Sequence, residues 1–364
     1  MGCTGTCRTS CCIVALLAVW PAHPVSGQAE QTVPRQDLNV VLRNALQFVR
    51  SQQNAQGGFG AVQAQLQTSL GVLAILSMAS DPTLEDLARI ERAVDYLIRV
   101  GTTSGDLGDA VFRVESHALA ATAVLCAIQH VRDPALRQKA SEVVQRAIRL
   151  TQRLQDRSRA SPARGGWKME GRKGTQNDRR ASAWALLVYD AASRYGVGIK
   201  RAHIDRGVHF VLGSFKKTAD NPDQIGGLSV DTEGLAVASI SAMGGWVLSR
   251  LAPDDPRLDK NVAWLAQHPP IWSGPNYFYT EFFRVRALKF ADPGGPHFHR
   301  ALRRVYLQIR EHQQPDGSVT FPPGNAQNTI AMGPTFSTSL AVLILNVENS
   351  PLVFDEDYRV RPLF

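Results

Sequence analysis

The chain has 364 residues, of which 44% are hydrophobic and 20% charged, and its formal net charge is +8. This composition is that of a globular protein, and it excludes an intrinsically disordered chain and a membrane protein with many spanning helices. Because lysines and arginines are spread over many predicted helices, we expect a solvated basic surface and no nucleic-acid partner. A basic balance also suits an anionic membrane surface.

Residues 1–29 have the pattern of a signal peptide. Arg8 precedes an apolar stretch over residues 11–20, which is too short to span a bilayer, and small residues follow at Gly27 and Ala29. We therefore expect export to the periplasm or the extracellular space, with an uncleaved N-terminal anchor as the alternative. Residues 30–35 are interpreted as a linker. Four of the five cysteines lie within residues 1–29, and the fifth, Cys126, is expected to be a buried small hydrophobe.

Residues 38–79 contain a unit that the rest of the chain repeats. Gly57 and Gly58 separate two different helical patterns in it. Residues 68–76, after the glycines, are nearly all apolar, which is typical of a buried inner helix. Before the glycines, apolar residues recur at helical spacing and predict an amphipathic outer helix: Leu38, Val41, Leu42, Ala45, Phe48 and Val49.

The same alternation continues to the end of the chain. Three further outer helices are predicted to begin at Asp-Pro pairs, in which Asp caps the helix and Pro occupies its first turn: Asp81-Pro82, Asp133-Pro134 and Asp255-Pro256. The other two outer helices cover residues 204–215 and begin near Phe298. Inner helices are predicted over residues 115–128, 181–192, 234–248, 276–290 and 335–346. The repeats span residues 36–349, and residues 350–364 form a C-terminal tail.

Twelve helices in six pairs, without a convincing strand, predict an all-α protein. The first and last inner helices are as apolar as the middle ones, so we expect closure into a ring, an (α/α)6 toroid, rather than an open solenoid. Six parallel inner helices would leave a central hole about 10 Å wide. Small inner residues are expected to keep part of this lumen open as a pocket: Ala120, Ala121, Ser182, Ala236, Ser239 and Ser337.

Several motifs of the chain match a known group of proteins. Loops with glutamine, glycine and an aromatic residue occur at residues 53–59, 155–167 and 314–318, and aromatic or small-residue motifs follow at 276–288 and 333–341. Together with the tail motif at residues 358–363, they resemble the α/α toroids of terpenoid cyclases and protein prenyltransferase β subunits. The closest resemblance is to exported bacterial proteins with prenyltransferase/squalene-oxidase repeats, and it covers residues 36–364.

The resemblance implies two kinds of chemistry, and the sequence lacks the residues for both. Squalene–hopene-type cyclases protonate an alkene with an Asp-x-Asp-Asp motif, which does not occur here. Protein prenyltransferases activate a thiol with zinc, but Cys126 has no Asp two residues before it. Residues 254–259 resemble a magnesium-diphosphate motif with one residue too many, and we interpret them as a helix cap. We expect no metal and no cofactor.

Polar residues at the predicted starts of the inner helices are the remaining candidates for a pocket. Each has an ordinary alternative: a helix cap or an ion pair along the helix for a carboxylate, and a hydrogen-bonded core position for the histidine. The candidates are His117, Asp178, Asp231, Glu233, Tyr277, Tyr279 and Glu281.

These residues lead to three hypotheses for function. The first is a binding or interaction module with a central pocket for a small hydrophobic ligand, such as an isoprenoid lipid, with membrane-surface association. The second is a glycan-active hydrolase or lyase that uses paired carboxylates in an α/α barrel. The third is a cyclase-like enzyme with an acid that the motifs do not reveal. A scaffold that binds a protein through its basic outer surface is a further alternative.

Overall fold

A computed structural model describes residues 34–356, apart from 79–81, 110–112, 158–163, 169–176, 218–220, 232–233, 275 and 321–331. These residues belong to one compact unit, Thr32–Phe364. The signal peptide, most of the linker and the tail motif at residues 358–363 lie outside the described residues. The helices are α1 Arg35–Ser51, α2 Ala64–Ser77, α3 Leu84–Val100, α4 Arg113–Ala127, α5 Pro134–Leu154, α6 Arg179–Arg194, α7 Arg201–Leu212, α8 Ala238–Leu251, α9 Arg257–Gln267, α10 Tyr277–Ala291, α11 Pro296–His312 and α12 Gly333–Leu345.

The odd-numbered helices are amphipathic and the even-numbered helices are buried on nearly all sides. In α3, for example, Ile90, Val94 and Leu97 face inward while charged residues alternate with them. In α2 every residue from Leu66 to Ser77 is buried. This difference is what a double ring requires, because an inner helix contacts neighbours on all sides whereas an outer helix contacts them on one. Within the described residues, no helix combines the length and the apolarity that crossing a membrane would need.

The ring closes between the last helix pair and the first. Helix α12 packs on both α1 and α2. The side chain of Asn346, just after α12, donates a hydrogen bond to the Ser77 carbonyl at the end of α2. Gln313, just after α11, donates to the Val41 carbonyl of α1 over 3.0 Å. The expected (α/α)6 toroid is therefore confirmed, and the described residues contain isolated β-bridges but no strands.

A glutamine at the end of an outer helix clamps each of three loops to the next outer helix. Gln53 donates through Nε2 to the Gly57 carbonyl of its own loop and to the Arg89 carbonyl of α3. Gln155 repeats this arrangement with Gly165 and His203, and Gln313 repeats it with Gly317 and Val41. The glutamines of the repeat thus join neighbouring helix pairs, and the last of them joins the two ends of the ring.

The loop glycines have positive φ angles and touch the next outer helix directly. Gly165 has φ +95° and Gly317 has φ +87°. A Cβ atom at Gly165 would overlap the Arg206 carbonyl oxygen of α7, and one at Gly317 would overlap the Asn44 carbonyl oxygen of α1. Both the backbone conformation and the close approach therefore require glycine.

Hydroxyl groups near the starts of inner helices bind the loops. The backbone N–H of Trp167 donates to Ser182 Oγ over 3.0 Å, and Ser337 donates to the Val319 carbonyl of its loop. As at Trp167, the backbone N–H of Phe59 donates to a hydroxyl, Thr68 Oγ1, over 2.9 Å. Ser182 and Ser337, which we expected to keep the lumen open, thus use their hydroxyl groups to hold the loops.

The predicted helix starts are partly right. Helix α5 begins as expected, with Asp133 as its cap and Pro134 in its first turn. Helix α3 instead begins at Leu84, because Thr83 accepts the capping hydrogen bond from Asp86. Helix α8 begins at Ala238 rather than at residue 234, since Ala236 forms a bridge with Ser229 and the Val237 N–H donates to the Leu228 carbonyl.

The C-terminal segment closes the lumen at the end where the inner helices stop. Phe354 and Asp355 are buried, and the Asp355 carboxylate pairs with the fully buried guanidinium of Arg286 over 2.6 Å. Arg250 pairs with Asp190 over 3.0 Å and donates to the Val353 carbonyl. The described part of the tail is therefore part of the core.

Candidate functional site

Aromatic side chains fill the middle of the lumen. Trp184 from α6 and Phe282 and Phe283 from α10 are fully buried. The Trp184 ring centroid lies 4.7 Å from that of Phe283 and 5.5 Å from that of Phe282. The expected hole about 10 Å wide is thus occupied at this level. We call the end of the toroid where the inner helices begin the mouth.

Tyr279 lies above this aromatic floor, at the mouth. Its ring makes edge contacts with Trp184 at 5.3 Å and with Phe336 of α12 at 5.2 Å, so it reaches across the lumen. Its hydroxyl is buried and has no hydrogen-bond partner among the described residues. Burial and the negative charge of Glu115 on α4 raise the pKa of Tyr279 well above its usual value. Tyr279, Phe336, Trp184 and Glu115 form the candidate site.

Two other candidates on α10 face the outer helices. Tyr277 donates its hydroxyl proton to Gln308 of α11. Glu281 pairs with Arg284 over 3.0 Å, and Arg284 also donates to the Leu265 carbonyl of α9. Burial raises the pKa of Glu281 despite this partner. The structure therefore does not bring Tyr277 and Glu281 together with Tyr279. For Glu281, it confirms the ordinary alternative of an ion pair along the helix, with Arg284 as the partner.

The carboxylates that precede α6 and α8 serve the local backbone. Asp178 caps α6 by accepting hydrogen bonds from the backbone N–H groups of Arg180 and Ala181, at 2.7 Å and 3.2 Å. Asp231 is exposed and accepts from the N–H of Gly234. Glu233 lies outside the described residues. The structure thus places Asp178 in its capping alternative, whereas Asp231 binds a loop N–H and does not cap α8, which begins at Ala238. It does not bring the two carboxylates into a shared pocket.

His117 is a buried residue between α4 and α5. Its Nδ1 accepts a hydrogen bond from the Leu107 N–H over 3.1 Å, and its Nε2 lies 3.1 Å from Thr151 Oγ1. Burial lowers the pKa of His117, although Asp106 opposes this effect. The imidazole therefore joins the loop before α4 to the outer helix α5. His117 thus occupies the hydrogen-bonded core position that was the ordinary alternative for it. It also lines a small cavity of about 100 Å³ with Asp106 and Arg113.

The donors of a zinc-activated thiol site do not meet in the described residues. Burial raises the pKa of the Cys126 thiol to about 12, with Tyr195 as its hydrogen-bond partner. Among these residues no three His, Cys, Asp or Glu side chains are close enough to hold a metal ion. The chain as described therefore does not fit the zinc chemistry of protein prenyltransferases.

Solved structures with the same ring of helix pairs are found despite low sequence identity. The type II terpene cyclase MstE from Scytonema is 15% identical, with a TM-score of 0.54 over 86% of this chain and 98% of the other. The chain shares the α/α toroid fold of this cyclase. A protein from Actinoplanes (14% identity, TM-score 0.52, 85% and 98% covered) and a glycosidase variant, F290Y (13%, 0.51, 86% and 97%), share this fold. No protein-family model and no curated protein sequence matches the chain.

Sequence reasoning missed three residues of the toroid's candidate site. Glu115, Trp184 and Phe336 lie on three different inner helices. Phe336 belongs to the motif at residues 333–341, but that motif pointed to the fold and not to a site. A signal was present, because Glu115 is an acidic residue in the first turn of an otherwise apolar helix and Trp184 is a large residue among alanines. Only the closed ring shows that they face Tyr279.

Proposed function

We propose that the toroid binds a hydrophobic ligand of isoprenoid type at its mouth, with the apolar chain against the aromatic side chains and a polar end group at Tyr279. The buried Tyr279 hydroxyl, which has no hydrogen-bond partner in the part of the chain that the structure describes, carries this proposal. A buried donor without an acceptor costs about 1–3 kcal/mol, and a ligand oxygen would remove that cost. Aromatic walls with a few polar groups are typical of small-molecule sites.

The comparison with solved structures supports the class of ligand. A variant of MstE was solved in complex with geranylgeranyl dihydroxybenzoate, its substrate, and this structure shares the fold at 15% identity. That ligand combines an isoprenoid chain with a polar ring. The site of this chain offers matching surfaces: the rings of Trp184 and Phe336 for the chain and the hydroxyl of Tyr279 for the polar end.

A fluorescence titration tests the proposal. Geranylgeraniol is expected to change the emission of Trp184, which touches Tyr279. Tyr279→Phe keeps the ring and removes the donor, so we expect the dissociation constant to rise about threefold to tenfold, the effect of one hydrogen bond. The hydrocarbon of the same chain length should not distinguish the variant from the wild type.

Tyr277→Phe is the matched control for this titration. It removes a hydroxyl from the same helix, but that hydroxyl is bonded to Gln308 and not directed to the mouth. We expect its affinity for geranylgeraniol to equal that of the wild type. Equal losses in both tyrosine variants, or no binding by the wild type, would overturn the proposal.

A second candidate function, acid catalysis on an unsaturated lipid, is favoured by the position of Glu115. This carboxyl is buried on α4 and close enough to act on the pKa of Tyr279. In its protonated form it could transfer a proton to a double bond, and the rings of Trp184 and Phe336 would stabilise the resulting cation. Glu115→Gln should then abolish product formation and leave geranylgeraniol binding intact.

The glycan hypothesis has less support. It needs two carboxyl groups about 5–10 Å apart across an open groove. Asp178 caps a helix and Glu281 pairs with Arg284, so the structure does not bring these two candidate carboxylates together. Glu115 is a buried carboxylate on α4. A polysaccharide panel with Glu115→Gln as the control tests this alternative, and turnover by the wild type alone would revive it.

We also propose that residues 1–29 direct export. Their apolar stretch and small residues support this proposal. N-terminal sequencing of the protein recovered from a secreting host should give a chain that starts near residue 28 or 30. Recovery of the full chain in the membrane fraction would favour the anchor instead.

A further inference from the structure

The side chain of Tyr189 on α6 breaks the pattern of the inner helices. Four loops donate a backbone N–H to a hydroxyl of the inner helix that follows, and these hydroxyls mark equivalent positions in four repeats: Thr68, Ser182, Ser241 and Thr338. Seven residues further along each helix, the repeats have, in the same order, Ile75, Tyr189, Leu248 and Leu345. One repeat thus places a hydroxyl where the other three have an aliphatic side chain.

This hydroxyl is directed to the outer wall of the toroid. It is buried and has no hydrogen-bond partner in the part of the chain that the structure describes. The Tyr189 ring packs edge-on against Trp167, at 5.6 Å between centroids, and faces His203 of α7 at 6.4 Å. Trp184, which faces the lumen, lies five residues before Tyr189 and therefore about 140° away around α6. Tyr189 is thus remote from the aromatic side chains of the lumen.

Three cations surround this part of the wall. Burial raises the pKa of Tyr189, and the positive charges of Arg157 and Arg206 oppose this effect, so both guanidinium groups are close to the hydroxyl. Burial lowers the pKa of His203, and Arg206, Arg157 and Lys200 lower it further. Arg157 and Lys200 are exposed, whereas Arg206 is half-buried. The wall therefore carries positive charge from the solvent down to the buried hydroxyl.

The carboxylates that are nearest in sequence bind other groups. Asp205, beside Arg206, pairs with Arg201 over 2.7 Å. Asp156 accepts a hydrogen bond from Asn177 over 3.3 Å. Among the residues that the structure describes, none of the three cations forms an ion pair. Their charge is therefore not balanced by a neighbouring acidic side chain of the described fold.

The clamp of the first loop shows what an arginine at the position of Arg206 ordinarily does. Gln53 Oε1 accepts a hydrogen bond from Arg92 over 2.8 Å. Arg92 and Arg206 are equivalent, because a Cβ atom at Gly57 would overlap the carbonyl oxygen of Arg92 as one at Gly165 would overlap that of Arg206. In the first repeat, the glutamine thus supplies the acceptor for the arginine.

At the equivalent clamp between α5 and α7, His203 occupies that acceptor. Gln155 Nε2 donates to the Gly165 and His203 carbonyls, so Gln155 Oε1 must accept from His203 Nδ1, 2.7 Å away. Since Nδ1 carries the proton, Arg206 Nη2 cannot donate to it, although the two atoms are 3.0 Å apart. Arg206 Nε is buried without a partner among the described residues. Arg206 therefore lacks the acceptor that Arg92 has.

We propose that Tyr189, Arg206, Arg157 and Lys200 bind a tetrahedral oxyanion, a phosphate or sulfate group, on the outer wall of the toroid. Its oxygens accept from the Tyr189 hydroxyl and the Arg206 guanidinium, whose planar N–H groups match the oxygens of such an anion. Three positive charges exceed the charge of one carboxylate and suit a dianion. The site does not depend on a ligand in the lumen, so it succeeds or fails independently of the geranylgeraniol titration.

A phosphorus NMR titration of inorganic phosphate with the full chain tests the site. We expect saturable binding by the wild type at an ionic strength held constant with sodium chloride. Tyr189→Phe keeps the ring and removes the donor, so the dissociation constant should rise about threefold to tenfold. Arg206→Gln removes a charged donor and should raise it at least about tenfold.

Arg92→Gln is the matched control, because its arginine occupies the equivalent position but has Gln53 as its acceptor. We expect its phosphate affinity to equal that of the wild type. Equal losses in the two arginine variants, or no saturable binding by the wild type, would overturn the proposal. Sulfate should compete with phosphate, and acetate that competes as well as sulfate would contradict a tetrahedral anion. Competition by glycerol 3-phosphate would show that the site accepts an esterified group, whereas its absence would restrict the site to the free ion.

The stability of Tyr189→Phe tests the hydroxyl separately. In phosphate-free buffer this variant should unfold at the urea concentration of the wild type or above it, because the hydroxyl has no hydrogen bond to lose. Saturating phosphate should raise the urea midpoint of the wild type more than that of the variant. A variant that is less stable than the wild type without phosphate would show that the hydroxyl has a partner within the protein, and it would overturn the proposal.

Discussion

Gly317→Ala tests whether the ring is closed. Gly317 has a φ of +87°, a conformation that costs an L-residue about 1–2 kcal/mol. The Cβ atom of an alanine at this position would overlap the Asn44 carbonyl of α1. Relief of that overlap requires the loop to move, which would break the 3.0 Å hydrogen bond from Gln313 to Val41, about 1 kcal/mol, and disturb packing on α1, about 1–3 kcal/mol. We expect a total loss of about 3–6 kcal/mol in the free energy of unfolding.

Alanine variants of two other glycines separate the conformational strain from the steric overlap when the free energy of unfolding is measured in urea. Gly294 has φ +75° but no heavy atom near its Cβ position, so Gly294→Ala should cost only the conformational strain, about 1–2 kcal/mol. Gly165→Ala, inside the ring, would overlap the Arg206 carbonyl and should cost as much as Gly317→Ala. A loss for Gly317→Ala no larger than that for Gly294→Ala would refute closure, because an open superhelix has no helix α1 beside this loop.

Three further predictions follow from the buried polar groups. Asp355→Asn leaves the Arg286 guanidinium buried without its carboxylate, so we expect the free energy of unfolding in urea to fall by about 3–5 kcal/mol. The control, Asp205→Asn in an exposed ion pair, should lower it by about 1 kcal/mol or less. Equal losses would show that the tail is not part of the core. His117 has a lowered pKa in the folded state, so the unfolded chain binds a proton at His117 first as the pH falls below about 6.5. The free energy of unfolding should therefore decrease below that pH. His117→Gln should flatten the decrease, and an unchanged slope in the variant would contradict the prediction. Cys126, with its pKa raised to about 12, should resist iodoacetamide until the protein unfolds, as read from peptide masses; rapid labelling of the native chain would contradict its burial.

The fold could be predicted because its causes are local and repeated. Alternating amphipathic and apolar helices indicate outer and inner rings, and Asp133-Pro134 predicts the start of α5 from cap chemistry alone. The start of α8 was harder to predict, since residues 234–237 have a helical pattern but Ala236 and Val237 pair with Ser229 and Leu228. That pairing depends on residues distant from the helix.

The candidate site could be predicted only in part, because a helical pattern gives a position along the axis but not the direction of each side chain. Tyr277 and Tyr279 are two residues apart and therefore about 200° apart around α10. One reaches Gln308 of an outer helix and the other reaches Phe336 across the lumen. The size of the lumen was also not predictable, since it depends on how Trp184 and Phe283 pack against each other.

Mass spectrometry of lipid extracted from the purified protein tests the central claim most directly. We expect an isoprenoid-type lipid close to one molecule per chain in the wild type. We expect strong depletion in Phe336→Trp, because the larger ring would crowd Tyr279, which Phe336 contacts edge-on. Wild-type protein that carries no lipid, or lipid that persists unchanged in the variant, would contradict a ligand site at the mouth.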